Sequence, residues 1–159
     1  MLAISLSSLA IAQNYKVHSV FMYSFTRYVQ WPAEYNQGDF EIFVFGDSPI
    51  VEELNEMAKS RKAGDRTIKV TKISSASEIR KCNMLFVPDS KGNQLDKVLS
   101  AVGTQSIMVI SESNGAGMQG SDINFVIKDG KLAFELNQAA VSKKNLKVSM
   151  ELSRLAILL

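Results

Sequence analysis

The sequence is poor in the residues that most often build reactive sites. Its 159 residues include one cysteine, one histidine, one tryptophan and three prolines. A lone Cys82 excludes an internal disulfide and a cysteine metal cluster. Its setting in Cys82-Asn83-Met84-Leu85-Phe86-Val87 suits a small buried hydrophobe at the start of a strand. A lone His18, with no second histidine, leaves no metal site, and a Ser–His or Cys–His couple could run only through it. No nucleophile elbow adjoins His18, which reads as a surface or partly packed helix residue. The phosphate-loop pattern G-x-x-x-x-G-K-[ST] and the zinc pattern H-E-x-x-H are both missing. An excess of one charge is missing too. Eighteen basic residues face sixteen acidic ones, a net charge of +2, which gives no electrostatic case for a nucleic-acid partner or an anionic membrane. The densest basic stretch, Lys59-Ser60-Arg61-Lys62 with Arg66 beyond it, reads as a solvated helix end and loop.

What is present is a large apolar fraction, 46% of the chain, enough for the core of one compact domain. Met1 to Ala12 carries no charge and ends Ala10-Ile11-Ala12-Gln13, a small-x-small cleavage pattern. This stretch is shorter than the roughly 20 residues that span a bilayer. It is expected to be the end of a signal peptide, cleaved after Ala12, with residues 13–159 forming an exported domain.

Periodicity assigns the elements. Val17, Val20, Phe21, Ser24, Phe25 and Tyr28 form a helical stripe over about Tyr15 to Gln30, closed by Trp31-Pro32. Tyr15, Met22, Tyr23 and Thr26 lie off the stripe, so the helix is apolar on more than one side. It is therefore either sandwiched in the fold or in contact with another chain. Strands are expected at Phe40–Phe45, Thr67–Lys72, Met84–Val87 and Ile107–Ile110. The second alternates and belongs near a sheet edge; the others are continuous apolar runs buried on both faces. Ser48-Pro49, with Glu52 and Glu53 behind it, opens a helix to Lys59. Ser75-Ala76-Ser77-Glu78 offers a capping box for a short helix reaching Lys81. A helix from Asp89 or Ser90 to Ala101 turns Leu95, Val98, Leu99 and Val102 inward. Asp129-Gly130 joins Ile123–Lys128 to Lys131–Leu136 as a hairpin. Asn137 caps a helix over Gln138–Lys144, and Val148, Leu152, Leu155 and Leu159 predict a terminal helix. Strands alternating with helices imply a single three-layer α/β sandwich, with a mainly parallel sheet, a C-terminal hairpin and a terminal helix.

Gly115-Ala116-Gly117-Met118-Gln119-Gly120 matches the letters of a dinucleotide fingerprint. It leads into a strand through Ser121-Asp122 rather than opening a helix, and it follows a late strand rather than the first. It reads as a flexible loop with positive φ angles, and no cofactor is expected. Asp47, Asp89 and Glu112 follow three strands and could converge as paired carboxylates, although capping accounts for Asp47 and Asp89. Tyr23, Arg27 and Trp31 recur every four residues and would line one strip of the first helix. These are the residue types that dominate binding hot spots, so they are the candidate partner or ligand contacts.

Phe21-x-Tyr23-x-Phe25-x-x-Tyr28-x-x-Trp31-Pro32 resembles the opening motif of the YfiR family. The likeness continues through Phe45-Gly46-Asp47-Ser48-Pro49, Cys82 to Val87, Ile123 to Ile127, Phe134-Glu135-Leu136-Asn137 and Ser149-x-x-Leu152-x-Arg154-Leu155-Ala156. The resemblance implies a non-catalytic periplasmic α/β domain, often a homodimer. It implies a regulator that restrains a membrane-bound diguanylate cyclase through that enzyme's periplasmic part and is captured by an OmpA-like outer-membrane lipoprotein. Sensor kinases carry related domains. Family disulfides have no counterpart here, since Cys82 stands alone. The alternatives are a small-molecule sensor, with its pocket at the strand ends or beside Trp31, and an enzyme using Asp47, Asp89 and Glu112.

Overall fold

A computed structural model describes the backbone of residues 3–159 and the side chains of residues 15–159. The expected leader, Met1–Ala12, lies outside the described side chains. The first helix, α1, spans Ala3–Tyr28, so it begins earlier and ends earlier than the stripe predicts. Val29–Gln30 form a short strand, β1, antiparallel to β9 (Lys147–Val148). The buried stripe is also rotated by one residue. His18, Met22, Phe25 and Val29 are buried while Val17 and Val20 are exposed. The aromatic rings of the sheet select this face: Phe25 packs 6.1 Å from Phe125 and 5.4 Å from Phe134, and His18 lies 4.5 Å from Phe125.

The principal sheet contains β2 (Phe40–Phe45), β3 (Lys62–Ala63), β4 (Arg66–Ile73), β5 (Met84–Val87), β6 (Met108–Ser111), β7 (Ile123–Lys128), β8 (Lys131–Leu136) and β10 (Ile157–Leu158). Their order is β10-β8-β7-β6-β5-β2-β4-β3. The five strands β4, β2, β5, β6 and β7 are mutually parallel. Counted among themselves they run 2-1-3-4-5, the doubly wound order whose direction reverses between β2 and β5. The alternating strand β4 sits one place from the edge, as expected, with only the two-residue β3 outside it.

Alternation within the buried strands builds two cores. Phe40, Ile42, Val44, Met84, Phe86, Met108, Ile110, Ile123 and Phe125 face α1 and α2 (Ile50–Ser60). Phe43, Phe45, Leu85, Val87 and Val109 face α3 (Leu95–Val102) and α4 (Ala116–Gln119). Strands covered on both faces have no wet side, which is why their sequences are uniformly apolar. The result is the three-layer mixed α/β sandwich predicted above. The hairpin forms around Asp129 (φ 53°) and Gly130 (φ 75°), the two left-handed residues that an Asp-Gly type I′ turn requires. Asn137 caps α5 (Gln138–Lys143), its side-chain oxygen accepting from the amide of Ala140 at 3.0 Å.

Four local expectations differ. The Ser75–Lys81 segment is a single 3-10 turn, Ala76–Glu78, and Glu78 accepts from the amide of Ser74 rather than of Ser75. The segment after Asp89 begins as a 3-10 helix to Gln94 and becomes α3 only at Leu95. The glycine segment is not a loop but the one-turn α4, framed by Gly115 (φ 79°) and Gly120 (φ 128°). The C-terminal helix α6 covers only Met150–Leu155. Val148 is claimed by pairing with Val29, and an extended Ala156 turns Ile157–Leu158 into β10 alongside β8. Of the four apolar residues spaced for that helix, only Leu152 is buried.

A buried ion pair joins α5 to the sheet. Lys144 Nζ lies 2.5 Å from Asp122 Oδ2, with both side chains almost wholly removed from solvent. The same Asp122 oxygen accepts from the amide of Val109 at 2.7 Å.

Candidate functional site

Tyr23, Arg27 and Trp31 are spaced for one helical strip, but the chain leaves the helix before Trp31. Tyr23 and Arg27 stay on α1, and Trp31 turns into the core with 7% of its surface exposed. Its indole N–H donates to the carbonyl of Asn83 at 3.1 Å, and its ring packs edge-on against Phe40 at 5.2 Å. Asn83 is a hub. Its Oδ1 accepts from the amide of Glu41 and from Arg66, and its Nδ2 donates to the carbonyl of Tyr35. Arg27 is exposed, with its guanidinium carbon 5.5 Å from the Tyr23 ring centre and 5.9 Å from that of Tyr28. Arg61 approaches the Tyr23 ring to 5.3 Å.

Arg27 and Trp31 line one groove of about 680 Å³, together with Thr26, Gln30, Asn36 and Arg66; Tyr23 lies outside it. Arg66 is committed to the fold. It stacks on Phe40 at 5.3 Å and donates to the carbonyls of Gly38 and Asp39, each at 2.9 Å. Desolvation lowers its pKa from the ordinary arginine value.

A second recess of about 550 Å³ opens at the carboxyl ends of β5 and β6. Its polar end holds Tyr15, His18, Asp89, Glu112 and Asn114, and its apolar wall is Phe125, Val126, Ile127 and Leu132. In parallel sheets this edge is where ligands bind. Of the three carboxylates that could have converged, two do. Asp89 and Glu112 adjoin, while Asp47 lies apart, fully exposed and paired with Lys72 at 2.6 Å. That pairing holds the Asp47 carboxyl below its usual range.

Glu112 is the centre of the second recess. Its Oε1 accepts from the Tyr15 hydroxyl at 2.7 Å and from the amide of Asp89 at 3.1 Å, and His18 Nε2 lies 3.5 Å from its Oε2. Burial and the adjoining carboxylate push the Tyr15 phenol well above its ordinary pKa, so it is held as a donor. With both oxygens engaged, Glu112 is placed to anchor α1 and to orient a bound group. The sequence singled out His18 and Glu112 separately and passed over Tyr15. The available signal was the three-residue spacing of Tyr15 and His18, which puts both on one face of α1. Among the described residues, no group of three or more His, Cys, Asp or Glu side chains could hold a metal ion.

Cys82 is buried, its thiol facing the carbonyl of Met84 at 3.5 Å, and burial pushes its pKa well up. It sits in the core as a hydrophobe. The motif pieces that carried the resemblance now prove to touch one another. Trp31 meets Asn83, Phe21 lies 6.1 Å from Phe125 and 5.6 Å from Phe134, and the Ser149 amide donates to the carbonyl of Tyr28 at 2.8 Å.

The model of the YfiR/HmsC-like family matches residues 15–157. The chain belongs to this family. The match takes in both recesses, the whole principal sheet except Leu158, and every motif quoted above. The YfiR/HmsC-like family is one of periplasmic regulatory domains. No curated protein matches the chain. The signature residues of the family are mostly core: Phe25, Trp31, Cys82 and Phe134 are all buried. Among the quoted motif residues Asp47, Arg154 and Leu155 are exposed and Tyr23 is half-buried, and Arg27, between Phe25 and Tyr28 of the first motif, is exposed too.

Proposed function

We propose that this YfiR/HmsC-like chain is an exported, non-catalytic regulatory protein that works by contact. Its target is the periplasmic part of a membrane-bound signalling enzyme, a diguanylate cyclase or a sensor kinase. An OmpA-like outer-membrane lipoprotein is the proposed counter-partner, and a homodimer the proposed unit. The family match over residues 15–157 carries this reading. The exposed Arg27 beside Tyr23 and Trp31 supports a contact face at the end of α1. The test is affinity capture of the mature protein from solubilised envelopes, with cyclic-di-GMP measured in a deletion strain. Recovery of a cyclase or kinase is the expected result. Recovery of no signalling enzyme, with cyclic-di-GMP unchanged on deletion, would overturn it. An N-terminal Gln13 in periplasmic extract is the expected sign of export; a retained Met1 counts against it.

The strand-end recess supports a second reading, a small-molecule sensor whose ligand biases partner binding by differing affinity for two states. Its polar end and apolar wall suit an amphipathic ligand. A metabolite panel scored by thermal shift, with Glu112→Gln as the control, tests it: a shift lost in the variant is expected, and no shift by any compound would dismiss it.

A further inference from the structure

Arg27 and Arg61 come from distant parts of the sequence, yet their guanidinium groups flank one tyrosine. Their carbons lie 5.5 and 5.3 Å from the centre of the Tyr23 ring. Among the described residues, no carboxylate stands within ion-pair distance of either. Stacking on an aromatic ring leaves the in-plane N–H donors of a guanidinium free for a carboxylate. Lys62 is exposed one residue after Arg61, and Arg66 lines the adjoining groove. Arg27, Arg61, Lys62 and Arg66 against Asp65 and Asp39, whose charge acts on Arg66, give this corner a net charge of +2, as much as the whole chain carries. The balanced composition therefore conceals an asymmetric surface, although Lys59–Lys62 is the exposed end of α2 and its loop, as expected.

We propose that this corner binds an extended acidic segment of a protein partner, with two carboxylates on Arg27 and Arg61 and the chain lying in the groove beside Trp31. The proposal rests on the regulatory reading above and names the partner chemistry of that face. Two distances from one ring centre place the guanidinium carbons at most 10.8 Å apart. In an extended chain, residues i and i+2 share a face about 7 Å apart, which falls within this limit, so alternate acidic residues can reach both groups. The groove offers a further partner for a peptide backbone in the side-chain amide of Gln30, while the Thr26 hydroxyl and the Asn36 amide, already donating to the carbonyls of Tyr23 and Trp31, keep acceptor oxygens. Strand β1 has a strand partner, β9, on one edge only, and no residue of β9 lines the groove. A lipid surface is the poorer match. Electrostatic membrane docking uses clusters of about 4–8 basic residues on an open surface; this corner is at the bottom of that range, with Arg66 bonded to backbone carbonyls and two guanidinium groups stacked on a ring beside a concavity.

The probe is a fluorescein-labelled decapeptide of alternating Glu and Ser, with a Gln-Ser decapeptide as its neutral control. Binding is read by anisotropy and by emission of Trp31, the sole tryptophan. The Glu peptide is expected to bind, more weakly as salt rises, and the Gln peptide not to bind. The double variant R27Q/R61Q is expected to lose about fivefold or more in affinity, the size of two exposed ion pairs, with its thermal midpoint unchanged. Equal binding by wild type and variant, or no binding of the Glu peptide, would overturn the proposal. Tighter binding to phosphatidylglycerol–phosphatidylcholine vesicles than to the peptide, lost in R27Q/R61Q, would assign the corner to a membrane and overturn it as well. Envelope capture with the same variant separates the two readings. A signalling enzyme recovered equally by wild type and R27Q/R61Q keeps the regulatory function and removes the acidic segment. Peptide binding without any such enzyme keeps the acidic site and removes the regulatory function.

Discussion

The indole N–H of Trp31 donates to the backbone carbonyl of Asn83, 52 positions along the chain, at 3.1 Å. That carbonyl also accepts from the amide of Met108 at 3.0 Å. The bond therefore joins the end of α1 to the entry of β5 and β6 at once. Replacing Trp31 with Phe leaves the carbonyl satisfied and should cost only about 1–2 kcal/mol, from a lost hydrogen bond and some lost packing. Asn83→Ala should cost more, about 2–4 kcal/mol, because the Glu41 amide and the Tyr35 carbonyl lose their partner together. Urea denaturation of both variants checks the order; an equal or reversed cost would contradict the hub described for Asn83.

Lys144→Met removes the cation from Asp122 and leaves a carboxylate with no exposure to water. A loss of about 3–5 kcal/mol is expected from such an uncompensated charge. Asp122 also predicts an unusual pH dependence. Burial, only partly offset by Lys144, raises its pKa above the usual 3.8. The folded protein then binds this proton more readily than the unfolded chain. Stability from this group is full below the unfolded value and falls as pH rises through the window up to the raised folded value. The stability of wild type minus that of Asp122→Asn should therefore decline with rising pH across that window. Denaturation of both proteins at several pH values measures it; a difference that grows with pH would reverse the assignment.

Glu112→Gln should loosen the middle of α1, around Tyr15 and His18, while leaving the sheet intact. Removing the charge weakens the bonds from the Tyr15 hydroxyl and the Asp89 amide and the contact with His18. Charge-assisted bonds of this kind contribute about 1.5–3 kcal/mol each. Hydrogen exchange should accelerate over residues 15–19 and stay unchanged in β5 and β6. Tyr15→Phe should give a smaller version of the same pattern.

Cys82 should resist alkylation by iodoacetamide in the native protein at mildly alkaline pH and react fully after unfolding. The thiolate is the reactive species, and burial keeps the thiol protonated. Rapid native labelling, followed by mass spectrometry, would show that Cys82 is not in the core.

The architecture was readable because the buried strands Phe40–Phe45, apart from Glu41, and Met84–Val87 are apolar and Asp129-Gly130 permits little but a hairpin. The terminal segment misled because Val148, Leu152, Leu155 and Leu159 keep helical spacing while β1 and β8 compete for the same backbone. A two-residue pairing partner far away in sequence leaves no periodic trace. The candidate site was legible by residue type and not by arrangement. Tyr23, Arg27 and Trp31 were spaced for one strip, but Val29 pairs with Val148 and turns Trp31 inward. Arg61 was visible only as part of a basic run, since stacking on Tyr23 is a tertiary contact between helices. Tyr15, His18 and Glu112 meet only because α1 crosses the ends of the strands.

Between Tyr15 and Arg27 the chain has neither proline nor glycine, so this stretch of α1 has no built-in hinge. Twelve residues at a rise of about 1.5 Å each put the two about 18 Å apart along one stiff rod. Tyr15 grips the strand-end recess and Arg27 overlooks the groove. One unbroken length of helix therefore lines both recesses.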